Sequence, residues 1–199
     1  MIQRMIGAAL FNRQTYEEIE ADQGALGQAV GVVLLVTLCG IVGGIVNGLM
    51  SGEPVLGIVL GAIGGLVFGI VRWALWVTVM YLVGGKMLRA SNTETSWGEL
   101  GRVMGFAYTP GVLSILAFIP AIGGLFPFIG FCWTLAAVIV AVRQAMDFES
   151  TGRAIGVVLL SAVIGFIPWI IIKIIEWSIL GGPEAPEVES AVRTLLALI

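Results

Sequence analysis

The chain has 199 residues, 58% of them hydrophobic and only 12% charged, with 10 Lys+Arg against 13 Asp+Glu, a net charge of −3 and no histidine. Mean hydropathy is +1.03, and a soluble domain this small could not hide so much apolar surface, because surface outgrows volume as domains shrink. The bilayer is therefore the expected solvent, and the absence of a basic stripe excludes a nucleic-acid partner.

The N-terminal segment, residues 1–27, is expected to be a cytoplasmic amphipathic piece. Its apolar stretch at 5–11 is broken by Gly7 and ends at Asn12-Arg13 without a small-residue cleavage site, so no signal peptide is expected. The chain opens Met-Ile and carries no cysteine near its end, so no lipid anchor is expected either. Thr15-Tyr-Glu-Glu18 fits a capping box that would open a short helix.

Five apolar regions follow, at 28–50, 55–83 (interrupted by Arg72), 103–119, 126–142 and 154–177. Each can cross a hydrocarbon core of about 30 Å as a helix at about 1.5 Å per residue. No alternating strand pattern is present, so the expected fold is all-α, a polytopic membrane helix bundle of about five spans across residues 28–177. Ser96-Trp-Gly-Glu99 fits a second capping box, opening the third span. The connection between spans three and four, Pro120 to Pro127, is itself apolar, which leaves a re-entrant hairpin as the alternative there. Orientation follows from the basic residues. Arg4, Arg13, Lys86, Arg89, Arg102, Arg143 and Arg153 fall on one side, and the connections at 51–54 and 120–127 have no Lys or Arg, so the N-terminus should be cytoplasmic and the C-terminus outside. Residues 178–199 would form a short external tail with an amphipathic helix, in which Val188, Ala191, Val192, Leu195, Leu196 and Ile199 share a face beyond Pro183 and Pro186.

Glycine gives the strongest pattern. Gly40, Gly44 and Gly48 in span one, and Gly57, Gly61, Gly65 and Gly69 in span two, recur every four residues. Each row makes a smooth helix face that lets another backbone approach closely. The first partner expected for each row is the other, with a subunit interface or a pore lining as alternatives. Arg72 lies about 26 Å along span two from Val55, with Trp73 and Trp76 beside it. An interfacial anchor is the first reading and a buried functional charge the second. Lys173 and Glu176, three apart in span five, can pair near its outer end. Pro110, in Thr109-Pro110-Gly111, and Pro168 predict kinks.

No catalytic site is expected. Ser114 and Ser161 have no ionisable neighbour in sequence, there is no phosphate-binding loop, and no metal-ligand spacing occurs. Cys39 and Cys132 lie in apolar runs and read as small hydrophobes. No cofactor and no metal are implied.

Several stretches together resemble the Yip family, the Ypt/Rab-interacting membrane proteins, and its short prokaryotic members in particular. They are FNRQTYEEI at 11–19, WVTVMYLVGGK at 76–86, GRVMGFAYTP at 101–110, IPAIGG at 119–124, Trp133, VAVRQAM at 140–146, and Arg153-Ala154-Ile155. The resemblance implies five spans with a cytoplasmic N-terminus. It also brings the eukaryotic members' binding of prenylated Rab GTPases, traffic between endoplasmic reticulum and Golgi, and membrane shaping. About 27 residues before span one leave no separate N-terminal domain, which disfavours a Rab-type GTPase partner and favours a prokaryotic plasma membrane over a Golgi or endoplasmic reticulum membrane. The expected function is non-enzymatic: organising membrane or partner proteins, or copies of itself, through helix packing and the cytoplasmic face. The alternative is a transporter or channel subunit for a small solute or ion, using kinked spans three and five.

Overall fold

The computed structural model describes residues 1–89 and 95–180, the side chains at 168, 169 and 171–180 excepted. Among the described residues every regular element is helical: α1 (Ile2–Ala9), α2 (Arg13–Ala21), α3 (Ala25–Met50), α4 (Val55–Met80) running into a π-helical stretch (Tyr81–Met87), α5 (Trp97–Ala107) running into a 3₁₀ stretch (Thr109–Phe118), α6 (Leu125–Ala145) and α7 (Thr151–Leu180). Four helical segments are long and apolar enough to cross a membrane, Ala25–Met50, Val55–Met87, Trp97–Phe118 and Leu125–Ala145, and the start of α7, Thr151–Ile167, is a shorter apolar helix. This is the polytopic helical bundle expected from the sequence. The third and fourth spans, at 22 and 21 residues, are each long enough to cross.

By packing, the chain divides into two compact units, Met1–Ser161 and Ala162–Ile199, the described part of the second being the continuation of α7. Within the first unit the helices alternate in direction. α3 and α4 form an antiparallel hairpin around the turn at 51–54, where Gly52 adopts φ +74°, a left-handed conformation that suits glycine. α5 and its 3₁₀ continuation run parallel to α3, as Gly101 approaches Leu26, Gly105 approaches Ala29 and Gly111 approaches Val36. The third span is the most enclosed, and the second lies at the periphery with most of its apolar side chains facing outward.

Local chemistry explains the element boundaries. Ser96 caps α5 with its side chain accepting from Glu99 N at 3.2 Å while Glu99 returns the bond to Ser96 N at 2.7 Å, the full capping box. α2 begins earlier than Thr15-to-Glu18 predicts. Asn12 is the cap, accepting from Thr15 N at 3.2 Å, because its amide reaches the free N–H of the first turn and leaves Thr15 inside the helix. The third span changes from α to 3₁₀ winding at Thr109-Pro110. Proline has no N–H to continue the α ladder, so the break falls where the residue type dictates. The amphipathic helix expected at 188–199, with Pro183 and Pro186, lies outside the described residues.

Candidate functional site

The polar side chains converge on one end of the first unit, the end that carries the N-terminus. There α2 is clamped over the mouths of α5 and α6. Its apolar face supplies Tyr16 and Ile19, both fully buried. The Tyr16 hydroxyl lies 2.9 Å from the Ala8 carbonyl and 3.2 Å from that of Ala137, and burial pushes its ionisation well above the ordinary tyrosine value.

From below, Arg102 reaches up from α5. It is only 7% exposed. Its Nε donates to the Ile19 carbonyl at 3.3 Å and its NH2 group to the Glu20 carbonyl. These are last-turn carbonyls of α2, which have no partner within their own helix, and a guanidinium at a helix C-terminus also complements the helix dipole. Glu20 is half-buried in the same place. Burial raises its carboxyl to about 7, helped by the charges of Asp147, Glu99 and Glu17 and opposed by Arg102. Asp22 is held low, first by its bond from Arg4, with Gly24 N donating as well. The Arg4–Asp22 ion pair measures 2.7 Å and ties α1 to the end of α2.

The other basic residues at this end also have intramolecular tasks. Arg143 folds the α6–α7 connection around itself, donating to the Phe148 carbonyl at 3.2 Å, the Glu149 carbonyl at 3.0 Å and Thr151 Oγ1 at 2.9 Å. Arg153 covers the Phe148 ring at 5.4 Å, and Lys86 covers Tyr81 at the same distance. Gln144 donates to Glu17 at 3.1 Å. This face is a braced platform with an exposed polar rim at Arg13, Gln14, Glu17 and Glu18.

The glycines divide by environment. A Cβ at Gly69 would stand 2.7 Å from Thr37, at Gly65 3.4 Å from Ile41, and at Gly48 3.1 Å from Ile58, all across the α3–α4 hairpin. Gly40 lies opposite Ser114 of the third span, at 3.4 Å. Gly44, Gly57 and Gly61 meet open space. The approaches to the backbone of another segment fall on glycines outside the two rows. Gly105 would meet the backbone of Ala29 at 3.0 Å, Gly130 the Pro110 carbonyl at 3.0 Å, and Gly43 the Ser114 carbonyl. The sequence signal for these is weak: Gly43 and Gly130 extend no four-residue repeat in their own helices, and Gly105 has only Gly101 four residues before it.

Arg72 is exposed on α4. Continuing the pairing of Gly65 with Ile41 and Gly69 with Thr37 puts it level with Leu34, about 14 Å from the start of α3. Among the described residues it makes no hydrogen bond or ion pair. Its neighbour Trp73 turns inward and packs edge-on against Trp97, centroids 6.1 Å apart, and Trp97 Nε1 donates to Thr78 at 3.0 Å. Trp76 is half-buried. Cys39 is half-buried and Cys132 exposed, both as free thiols. The helix of α7 passes through Pro168, and the side chains of Pro168, Lys173 and Glu176 lie outside the described residues. Ser161 is buried without a hydrogen-bond partner, while Ser114 donates to the Gly111 carbonyl at 2.7 Å.

A bundle of membrane-length apolar helices with its polar groups gathered at one end defines a multi-pass membrane protein. Residues 7–172 match the family model of the Yip1 domain, and the chain belongs to that family. No curated protein and no solved structure matches it.

Proposed function

We propose that this chain is a non-enzymatic organiser of membrane or partner proteins, acting through helix packing and through the platform formed by α2, Arg102 and the α6–α7 connection. One observation carries the reading: the spans meet one another at several levels through glycine set against helix backbone. Gly105 lies on Ala29, Gly130 on Pro110, and Gly43 on Ser114. Several hydroxyls in the spans donate to carbonyls of their own helices, Thr37 to Val33 at 2.8 Å, Thr109 to Phe106 at 2.7 Å and Ser114 to Gly111. A conduction path needs polar groups free to line it.

In this reading the platform faces the cytoplasm of a prokaryotic cell and the turn at 51–54 faces outside, which the clustering of Arg4, Arg102, Arg143 and Arg153 at one end supports. Reporter fusions after Arg89 and Asp147 should read inside, and fusions after Gly52 and Glu187 outside. Both termini on one side would end this topology.

The transport reading rests on a specific feature of its own. The third span breaks at Thr109-Pro110, and the buried Thr134 Oγ1 nearby has no hydrogen-bond partner, a combination that broken transporter helices use. Solute or ion flux in liposomes holding the purified chain, lost on Thr134→Val, would favour it over the organiser.

A further inference from the structure

We propose that α1 is a lipid-embedded element. It lies within the leaflet on the N-terminal side of the bundle, with its outer face against phospholipid acyl chains. This goes beyond the organiser reading and is independent of which side of the membrane that leaflet faces.

The first observation is the face itself. Ile2, Ile6 and Leu10 are 68%, 54% and 66% exposed. They stand four apart, which puts them on one side of the helix, and Met1 and Phe11 extend the exposed surface at either end. The opposite side buries Met5 and Ala8. An eight-residue helix gains little from its own hydrogen bonds, so in water half its apolar surface would have no stabilising contact.

The second observation is the backbone. The last four carbonyls of a helix have no intrahelical partner, and in hydrocarbon each must find one inside the protein. In α1 all four do. Ile6 accepts from Leu10 N at 3.0 Å and Gly7 from Asn12 N at 2.9 Å. Ala8 accepts from Phe11 N at 3.1 Å and from the Tyr16 hydroxyl. Ala9 accepts from Trp133 Nε1 at 2.7 Å. The turn that makes this closure holds Phe11 at φ +59°, a conformation costly for an aromatic residue. A water-exposed helix end needs no such arrangement, because solvent would satisfy the carbonyls.

Depth is the third. Trp133 lies about twelve residues before the end of α6 at Ala145, roughly 18 Å along the helix axis. Side chains lean toward the N-terminus of their helix, so its indole points further from that end. Ala137, which meets Tyr16, is about 12 Å in. The end of α1 therefore stands beside the apolar length of α6. The one charged side chain on α1, Arg4, is neutralised by Asp22, while the exposed charges Arg13, Glu17 and Glu18 begin only on α2.

The side chains of the row itself, Ile2, Ile6 and Leu10, are apolar, and Gln3, also exposed, flanks it at the start of the helix. Acyl chains fit the row, and a partner that recognises by polar contacts does not.

The test uses the full chain in phospholipid liposomes, with Cys39→Ala and Cys132→Ala, and single cysteines placed by Ile2→Cys, Ile6→Cys, Leu10→Cys or Glu18→Cys. Each carries a nitroxide, and collision with oxygen is compared with collision with a water-soluble nickel chelate. The expected result is oxygen-dominated relaxation at 2, 6 and 10, at a depth on the order of 5–10 Å below the headgroup boundary, and nickel-dominated relaxation at 18. Nickel access at 6 and 10 equal to that at 18 would overturn the proposal. So would loss of both collisions with spin–spin broadening that disappears on dilution with unlabelled protein, since a second copy would then cover the face. The three positions on α1 read one surface independently, so no single perturbing label decides the outcome.

Discussion

Replacing Gly105 by alanine tests how closely the third span sits on the first. The added Cβ would stand 2.6 Å from Ala29 Cβ and 3.0 Å from both its Cα and its carbonyl oxygen. Two of those atoms are backbone of α3, so no rotamer change relieves the contact and the helices must separate. Overpacking of this kind costs typically about 1–3 kcal/mol. Alanine also favours helix over glycine by up to about 1 kcal/mol, which would mask part of the loss. Gly61→Ala is the control, because a Cβ there meets nothing within 4 Å and gains the same propensity. The difference between the two variants isolates the packing contribution. At roughly 2–4 °C per kcal/mol for a chain of this size, Gly105→Ala should unfold about 2–12 °C below Gly61→Ala in mild detergent. Coincident midpoints would refute the reasoning, since the α3–α5 contact would then be loose enough to admit a methyl group.

Arg102→Leu should free the Ile19 and Glu20 carbonyls and loosen α2, with a stability loss of about 1.5–3 kcal/mol, typical of charged hydrogen bonds. Faster tryptic cleavage at Arg13 would report it, and unchanged cleavage would count against the clamp. Glu20 predicts a pH dependence. Its carboxyl titrates at about 7 in the folded protein against an ordinary value of 4.5, so stability is full below pH 4.5, falls as pH rises to 7, and stays level above it. Glu20→Gln should remove that slope and stabilise the protein at pH 8 by about 1 kcal/mol, the half-exposed site being screened by solvent; a slope retained in the variant would assign it elsewhere. Arg72→Leu should cost less than about 0.5 kcal/mol, as expected for an exposed site. A loss of roughly 3–5 kcal/mol would instead mean that Arg72 neutralises a buried carboxylate.

How far the sequence reaches depends on whether a feature is periodic or relational. The spans are legible because their length and lack of charge are continuous over some twenty residues, and the Ser96 box is legible because its two partners are three apart. Gly48, Gly65 and Gly69 are legible for the same reason, and their opposition to α4 and α3 follows from the short turn that joins those helices. Arg102 is different. In sequence it is one basic residue among several near a helix start, and it counts toward orientation like Arg89 or Arg143. Its burial against α2 becomes visible only when residues more than eighty positions apart meet. Gly105 is only half legible, since Gly101 four residues before it marks a small-residue face, but that the face meets the Ala29 backbone is a relation between distant segments. α1 is the sharpest case. The apolar stretch at 5–11, broken by Gly7, is too short to cross a membrane, and the four-residue spacing of Ile2, Ile6 and Leu10 marks a face without saying what covers it. What resolves it is the set of donors that other elements bring to its last carbonyls, Tyr16 from α2 and Trp133 from α6. Both are aromatic residues with one polar atom, the kind of side chain that can reach a backbone group while remaining in an apolar environment. A sequence reader could therefore look for a second-element Tyr or Trp near a short apolar N-terminal helix as the mark of a leaflet-embedded element.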